Sequence, residues 1–383
     1  MSEAIPVGTY TTLREWIAAS ANGPAAGGAR HCFVHPAQTV RMTVPGTVDP
    51  APHPVFRQRS PTSPEGYVAV IPEGRYFGGD NHSSAVIAPD NKLIWDVSLN
   101  FHIPNWVHPV FKRQSLPPAV RTTETVAVLT FVWSRNYFHW MIDAVGRIDL
   151  IRRSGLTVDK YIISGDGPAR FQEESLALLG IPKHQIVRSY DGLHLRAARL
   201  VVPSLQPYSL LPFLSNQVPR WATDFLRSEL FRIVKPRPTG GYDRIYISRR
   251  DAKHRKVRNE AEVIRVMKAH GYREVTLGGM SVADQVRLFH SAKTIVSPHG
   301  ASLTNIMFCR PGTQVLDIFA PEYMYPCFWH ISSYYGLRYS YLIGAGRRLT
   351  ESEHIGLVGN VYADLTVDIG SLVAMLRRLA AGS

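Results

Sequence analysis

The 383-residue sequence predicts an α/β protein of two Rossmann-like domains facing a cleft, with an N-terminal extension rich in β-hairpins. Three observations predict this. From Thr123 onward, buried-strand runs alternate with segments of helical spacing, the pattern of a parallel sheet with helical crossovers. The alternation halts at Lys235–Tyr242, KPRPTGGY, where Pro and Gly make the best linker in the chain, and then restarts. Between Gly66 and Asn100 the runs are short and split by turn residues. A chain of this length has room for two cores.

Residues 1–60 are rich in Pro, Gly, Ala and His and give no clear element. Tyr67–Ile71, Ser84–Ile87 and Lys92–Val97 read as strands, with Pro89-Asp90-Asn91 as a hairpin turn. Val126–Trp133 reads as a buried strand and Tyr137–Arg153 as the helix after it, capped by Asn136 or Ser134. Strand Lys160–Ser164, turn Gly165-Asp166-Gly167-Pro168, helix Ala169–Leu179, strand Arg199–Val202 and a helix from about Asn216 to Ile233 follow. After the linker come strands Arg244–Ser248, Arg273–Thr276, Lys293–Ser297, Gln314–Phe319 and Arg338–Leu342. The helices between them are Asn259–His270, Val282–Ser291, Ser302–Phe308 and about Tyr323–Tyr335, with a last one from about Thr366 to Ala380. The domains are therefore read as 1–235, including the β-rich extension 60–100, and 236–345. Residues 346–383 form a C-terminal segment and helix that packs back on the first domain.

The formal net charge is +13. Such a surface attracts polyanions: nucleic acid, anionic lipid headgroups or diphosphate-bearing substrates. No basic run interleaved with stacking aromatics appears, so nucleic acid is not an expected partner. Cys32, Cys309 and Cys327 are far apart with no CxxC spacing, which suits a reducing compartment rather than a disulfide framework. Met1–Thr12 is polar, and no apolar stretch approaches the length of a bilayer span. The expectation is a cytoplasmic chain with peripheral association at an anionic inner membrane face.

Three segments could carry chemistry. In Asn136–Arg147, NYFHWMIDAVGR, a strand gives way to a helix, where open α/β sheets place ligands. His139, Asp143 and Arg147 are four apart and share one helical face. A His beside a carboxylate is the arrangement of a general base, although an exposed ion-pair stripe has the same spacing. Asn136, Trp140 and Arg147 would border the acceptor. The second segment, Ser248–Glu260, has six Lys or Arg residues within 249–258. Long basic side chains at a loop–helix junction suit a diphosphate, and also suit a merely solvated basic loop. The third, Ser297–Asn305, ends a strand in a small-residue turn. Gly300 and Ala301 allow close backbone approach, and His299 is placed to donate to a phosphate; a tight turn capped by Ser302 reads equally well. Gly165-Asp166-Gly167 lacks the third glycine of a dinucleotide fingerprint and reads as a plain turn. No His, Cys, Asp or Glu cluster has metal spacing, and no Asp-x-Asp occurs.

Together these segments resemble glycosyltransferase family 61, which includes plant xylan xylosyl- and arabinosyltransferases and animal protein O-linked GlcNAc transferases. The matching stretches are NYFHWMIDAVGRI (136–148), YISRRDAKHRKVRNEAEV (246–263) and HGASLTNIMFCRPGTQVLDIF (299–319), with YYGLRY (334–339) weaker. The hairpins of Gly79–Leu99 also look like the family's N-terminal region. The resemblance implies a GT-B type fold, inverting transfer from a UDP-sugar, no metal, and a donor site on the C-terminal half. Arg249 falls on the motif's arginine near the diphosphate. His299, Gly300, Ala301, Thr304 and Asn305 fall on the donor loop, and Asp317 where the family often has Glu. His139 and Asp143 fall on the acceptor-side motif. The chain departs at Ser302, often Gly in the family, and at Cys309-Arg310.

The function expected is thus a metal-independent inverting hexosyl- or pentosyltransferase of polysaccharide or capsule biosynthesis. A UDP-sugar is its donor, a glycan or glycolipid its acceptor, and no cofactor is needed. His139 or Asp143 is the base. Ser248, Arg249, Arg255, Arg258, the 299–305 loop and Asp317 bind the donor. The alternative is a non-catalytic basic protein that binds anionic glycan or membrane surface. A nicotinamide-dependent oxidoreductase would need the missing glycine fingerprint.

Overall fold

A computed structural model describes residues 2–21, 30–57, 60–79, 83–98, 107–165, 167, 169–206, 218–238, 240–349, 360 and 362–381. The turn read at 165–168 includes residues 166 and 168, and the start of the helix read from residue 216 includes 216 and 217; these four lie outside the described residues. The chain forms two compact units. The first takes Met1–Gln38, Pro64–Tyr208 and Asp224–Leu226; the second takes Thr39–Ser63, Ser209–Thr223 and Arg227–Ser383.

The first unit is built on a mixed sheet. Its strands are β1 (Gly8–Tyr10), β2 (Arg30–His35), β3 (Gly66–Pro72), β4 (Arg75–Gly78), β5 (Ser84–Ile87), β6 (Lys92–Ile94), β7 (Val120–Val128), β8 (Lys160–Ile163), β9 (Ile186–Arg188) and β10 (His194–Pro203). Their order is β1-β6-β5-β4-β10-β7-β8-β9, with β3 also on β10 and β2 on β3. β10, β7, β8 and β9 are mutually parallel, whereas β3 and β4 run antiparallel to β10. The Rossmann-like expectation therefore holds for four strands only; the hairpin extension continues the same sheet. The turn at Asn91 takes a left-handed backbone (φ 62°), and the Ala88 N–H donates to Lys92 O at 2.8 Å across it. β7 ends at Val128, five residues before the predicted end, and Trp133 is 41% exposed.

The second unit has a five-stranded sheet, all parallel: β11 (Arg244–Ile247), β12 (Arg273–Val275), β13 (Thr294–Pro298), β14 (Gln314–Phe319) and β15 (Arg338–Ile343). The order β12-β11-β13-β14-β15 is the 2-1-3-4-5 order of doubly wound sheets. β13 and β14 are buried throughout, as expected of parallel strands covered on both faces.

The division differs from the boundary read at residue 235, for packing reasons. Phe56 lies among Phe319, Trp329, Tyr339 and Tyr341, with centroids 4.6–6.4 Å away. Gly46 pairs with β15, exchanging hydrogen bonds with Tyr339 and Tyr341 at 2.9 Å each. Residues 39–63 thus belong to the second core. So does most of the helix Arg220–Val234: Arg227 donates to Cys309 O at 2.9 Å, and Phe231 packs on Phe308. The C-terminal helix Ile369–Ala381 does not join the first unit as read. Leu372, Met375, Leu376 and Leu379 form one apolar stripe, buried against Tyr246, Val263, Met267 and Val296 of the second unit. Replacing Leu372, which has no exposed surface, by Ala is expected to cost about 2–5 kcal/mol in urea unfolding. An unchanged midpoint would contradict this packing.

Candidate active site

In both units the parallel strand order reverses once. In the first it reverses between β10 and β7, in the second between β11 and β13. Where the loops leaving such a pair depart in opposite directions, as after β11 and β13, a crevice opens at the carboxyl ends of the two strands. The predicted site segments sit at these two places.

In the first unit the predicted long helix is broken. Tyr137–His139 is α-helical, Trp140–Ala144 a π-turn, Val145–Arg147 a 3-10 turn and Ile148–Arg153 α-helical. π-Turns of this kind concentrate at functional sites. Asn136 caps the start, its Oδ1 accepting from the Phe138 N–H at 2.9 Å. His139 and Asp143 still meet, Nδ1 to Oδ2 at 2.7 Å. The Asp143 side chain is 1% exposed, and Oδ1 accepts from Gln206 Nε2 at 2.8 Å, just beyond β10. Both carboxylate oxygens are therefore engaged, and Asp143 has no opening to take a proton from a ligand. Its charge holds the imidazole with Nδ1 as donor, leaving Nε2 as the acceptor. The His139 side chain, 13% exposed, stacks on Phe131 at 5.3 Å and meets the edge of Trp133 at 5.2 Å.

Arg147 is buried, not part of an exposed stripe. Its guanidinium donates to Asp143 O at 2.5 Å, Thr130 O at 2.9 Å, and Val128 O and Pro203 O at 3.3 Å each. It therefore ties the ends of β7 and β10 to the helix and sets the floor of the crevice. Trp140 has no exposed surface, and its indole N–H donates to Ser175 Oγ at 2.8 Å. Asn136, Trp140 and Arg147 thus act as cap, core and clamp. The exposed aromatic beside His139 is Trp133, which the strand reading had placed in the core.

In the second unit Glu260 organises the basic segment. Its Oε1 accepts from Ser248 Oγ at 2.9 Å, the Arg249 N–H at 3.0 Å and Tyr246 OH at 3.1 Å. Ser248 is consumed in this contact and buried. Arg249 Nε and Nη2 donate to Arg255 O at 3.0 Å and His254 O at 2.9 Å. Nη1 lies against Gly300; a Cβ there would come within 2.0 Å of it, so the glycine is needed for this approach. Burial first, and then repulsion from Arg255, lower the Arg249 pKa to about 10, leaving it charged at neutral pH. Arg255 has a left-handed backbone (φ 56°), and its Nε is buried without a hydrogen-bond partner. Two guanidiniums close enough to repel, one with an unmet donor, are an arrangement that an anion would stabilise. Arg258 is exposed, its backbone N–H donating to Leu365 O.

His299 completes this cluster. It is 4% exposed and stacked on Phe319 at 4.5 Å, with Nδ1 3.0 Å from Asp317 Oδ2. Asp317 is wholly buried and also accepts from Tyr339 OH at 2.9 Å. It orients His299 and has no surface for a donor, contrary to its assignment as a donor contact. Thr304 and Asn305 are also wholly buried; Asn305 Nδ2 braces Gln285 Oε1 at 2.8 Å. They shape the loop from beneath. The expected α-helix is a 3-10 helix, Ala301–Phe308, with Gly300 as N-cap and no side-chain cap from Ser302. Ala301 and Ser302 are partly exposed at its start. Arg249, Arg255, Ala301 and Ser302 are the partly exposed members of this cluster, and His299 and Gly300 are its buried ones. Among the described residues no group of three or more His, Cys, Asp or Glu is placed to hold a metal.

Burial pushes the His299 pKa below its ordinary value, and the neighbouring Arg255 and Arg249 add to this, while Asp317 opposes it. The unfolded chain then takes up that proton first, so the contribution of His299 to stability is present above about pH 6.5 and is lost as pH falls below it. In NMR titration its midpoint is expected below 6.5 and, because Asp317 favours the charged ring, lower still in Asp317→Asn. An upward move in that variant would contradict the assignment.

The sequence model of the family Glycosyltransferase 61 matches residues 137–316, just under half of the chain. A beta-1,2-xylosyltransferase of Arabidopsis thaliana is 40% identical over 63 residues, which is 16% of this chain and 12% of that protein. The aligned stretch is thus a small part of the relative's own length. The resemblance to glycosyltransferase family 61 is thereby shown over residues 137–316, the span that holds both the His139–Asp143 pair and the Arg249–His299 cluster.

Proposed function

We propose that this chain is a glycosyltransferase that moves a sugar from a UDP-sugar to a hydroxyl of a glycan or glycolipid, with inversion and without a metal. The observation that carries the reading is the His139–Asp143–Gln206 chain at a strand-order reversal. A buried carboxylate with both oxygens occupied, one of them fixing the imidazole through Nδ1, suits proton abstraction. It has no use in a protein that merely binds anionic surfaces.

The proposed step is a single displacement. The acceptor oxygen attacks the anomeric carbon as the bond from that carbon to the diphosphate oxygen breaks. The acceptor's proton goes to His139 Nε2, and Asp143 stabilises the imidazolium. The bonding electrons leave with UDP, whose growing charge Arg249 and Arg255 neutralise, with Arg258 at the exposed edge. His299 donates from Nε2 once the diphosphate's charge has raised its proton affinity. Cations in place of Mg²⁺ are the basis for proposing metal independence. A GT-B arrangement, with donor and acceptor halves serving one reaction centre, belongs to the same proposal, as does a role in capsule or polysaccharide assembly at the cytoplasmic membrane face. The xylosyltransferase match makes UDP-xylose a natural member of the donor panel.

The test is UDP release across a UDP-sugar panel, with and without EDTA. One donor is expected to support transfer, unaffected by EDTA. His139→Ala should lower kcat about 10²–10⁴-fold, and Arg249→Ala should lower kcat/KM by a comparable factor. Folded variants that retain wild-type rates would overturn the assignment, and selective binding of heparin with no UDP effect would favour the binding-protein alternative.

A further inference from the structure

The second unit has a cavity at the opposite end of its sheet from the Arg249 cluster. It is about 520 Å³ and sits at the amino ends of β11, β13, β14 and β15. Arg244, Lys293, Arg310 and Arg338 line it, and of the lining residues Asp243 alone is acidic. Asp243 is committed to Lys293 at 3.2 Å. Arg244 and Arg310 donate to the backbone carbonyls of His270 and Ser291, both at 3.1 Å, which satisfies hydrogen bonds without cancelling charge. Arg310 Nε is buried with no hydrogen-bond partner.

The register explains the arrangement. Arg244 pairs with Thr294, Thr294 with Gln314 and Gln314 with Arg338, so these residues form one row across four strands. At about 4.8 Å per strand, the two arginines stand about 14 Å apart at their Cα atoms, a span their side chains can close from both rims. Between them Thr294 Oγ1 and Gln314 Oε1 are bonded at 3.0 Å, a polar floor. A concave surface with a net excess of cations focuses field and concentrates anions. The sheet's own ligand edge lies at the other end, so this cavity is independent of the transferase reading.

We propose that this cavity is a second anion site, for a phosphate-type oxyanion, either free or as the headgroup of an anionic lipid. Guanidiniums from both rims clasp the phosphoryl oxygens, and Arg310 Nε gains the acceptor it lacks.

Isothermal titration of the full chain with pyrophosphate tests the free form, and flotation with phosphatidylglycerol against phosphatidylcholine vesicles tests the headgroup form. The variants are Lys293→Gln/Arg338→Gln and Arg249→Gln, each checked for native melting. A pyrophosphate-binding component weakened at least tenfold by the double substitution but surviving in Arg249→Gln supports the free source. Capture by phosphatidylglycerol vesicles alone, lost in the double variant, supports the headgroup source. If neither probe distinguishes the double variant from the native chain, or if only Arg249→Gln loses binding, the second site is overturned. Arg244→Gln, on the other rim, gives an independent repeat.

Discussion

The reversal of strand order is the constraint on which both candidate sites depend. Between β11 and β13 neighbouring parallel strands send their following segments to opposite sides, and β10 lies on the side of β7 away from β8. The backbone cannot cover the gap at their carboxyl ends, so side chains line it. Arg147 binds the ends of β7 and β10 through carbonyls of both, and the π-turn after His139 keeps the imidazole over that floor. In the second unit Glu260 plays the corresponding part, bonding groups from the end of β11 and so folding the basic segment back toward Gly300. The chemistry is thus held by charged residues that do not themselves face a ligand.

Burial sorts the residues into those that hold and those that act. Asp143 and Asp317 are carboxylates with essentially no exposed surface, each spent on a histidine and on one further donor, Gln206 or Tyr339. Buried charges persist only when paired and hydrogen-bonded, and each pairing here fixes the direction of an imidazole. Arg249 and Arg255 show the opposite condition. Their donors are partly met by carbonyls, their charges repel, and a buried Nε has no acceptor. That arrangement is unfavourable by itself and is of the kind a polyanion would relieve.

Much of the second unit was legible in the sequence. Val282–Ser291 and Gln314–Phe319 coincide with their predicted bounds, because strong apolar periodicity and turn residues at both ends leave little room for error. The segment read as a linker, Lys235–Tyr242, falls inside the second unit, so the division of cores was not legible. Nothing local in residues 39–63 shows that Phe56 and Gly46 complete the far sheet, since those contacts lie nearly three hundred residues away in the chain. The i, i+4 spacing found His139 and Asp143 but could not tell Arg147 as a buried clamp from a surface cation, nor foresee the π-turn. Gln206 lies outside every quoted motif, and Tyr339 and Glu260 lie inside quoted stretches without a role of their own; only the folded sheets bring them to the histidines and the arginine. Trp133 was misplaced because its apolar run continues past the last strand residue, Val128.

The central claim is that the loops leaving β11 and β13 form one diphosphate site. Hydrogen–deuterium exchange with and without UDP, in EDTA, tests it most directly. The account predicts slowed exchange confined to the peptides covering 248–260 and 299–308. Saturating UDP that leaves both segments unchanged, or protects segments elsewhere instead, would contradict it.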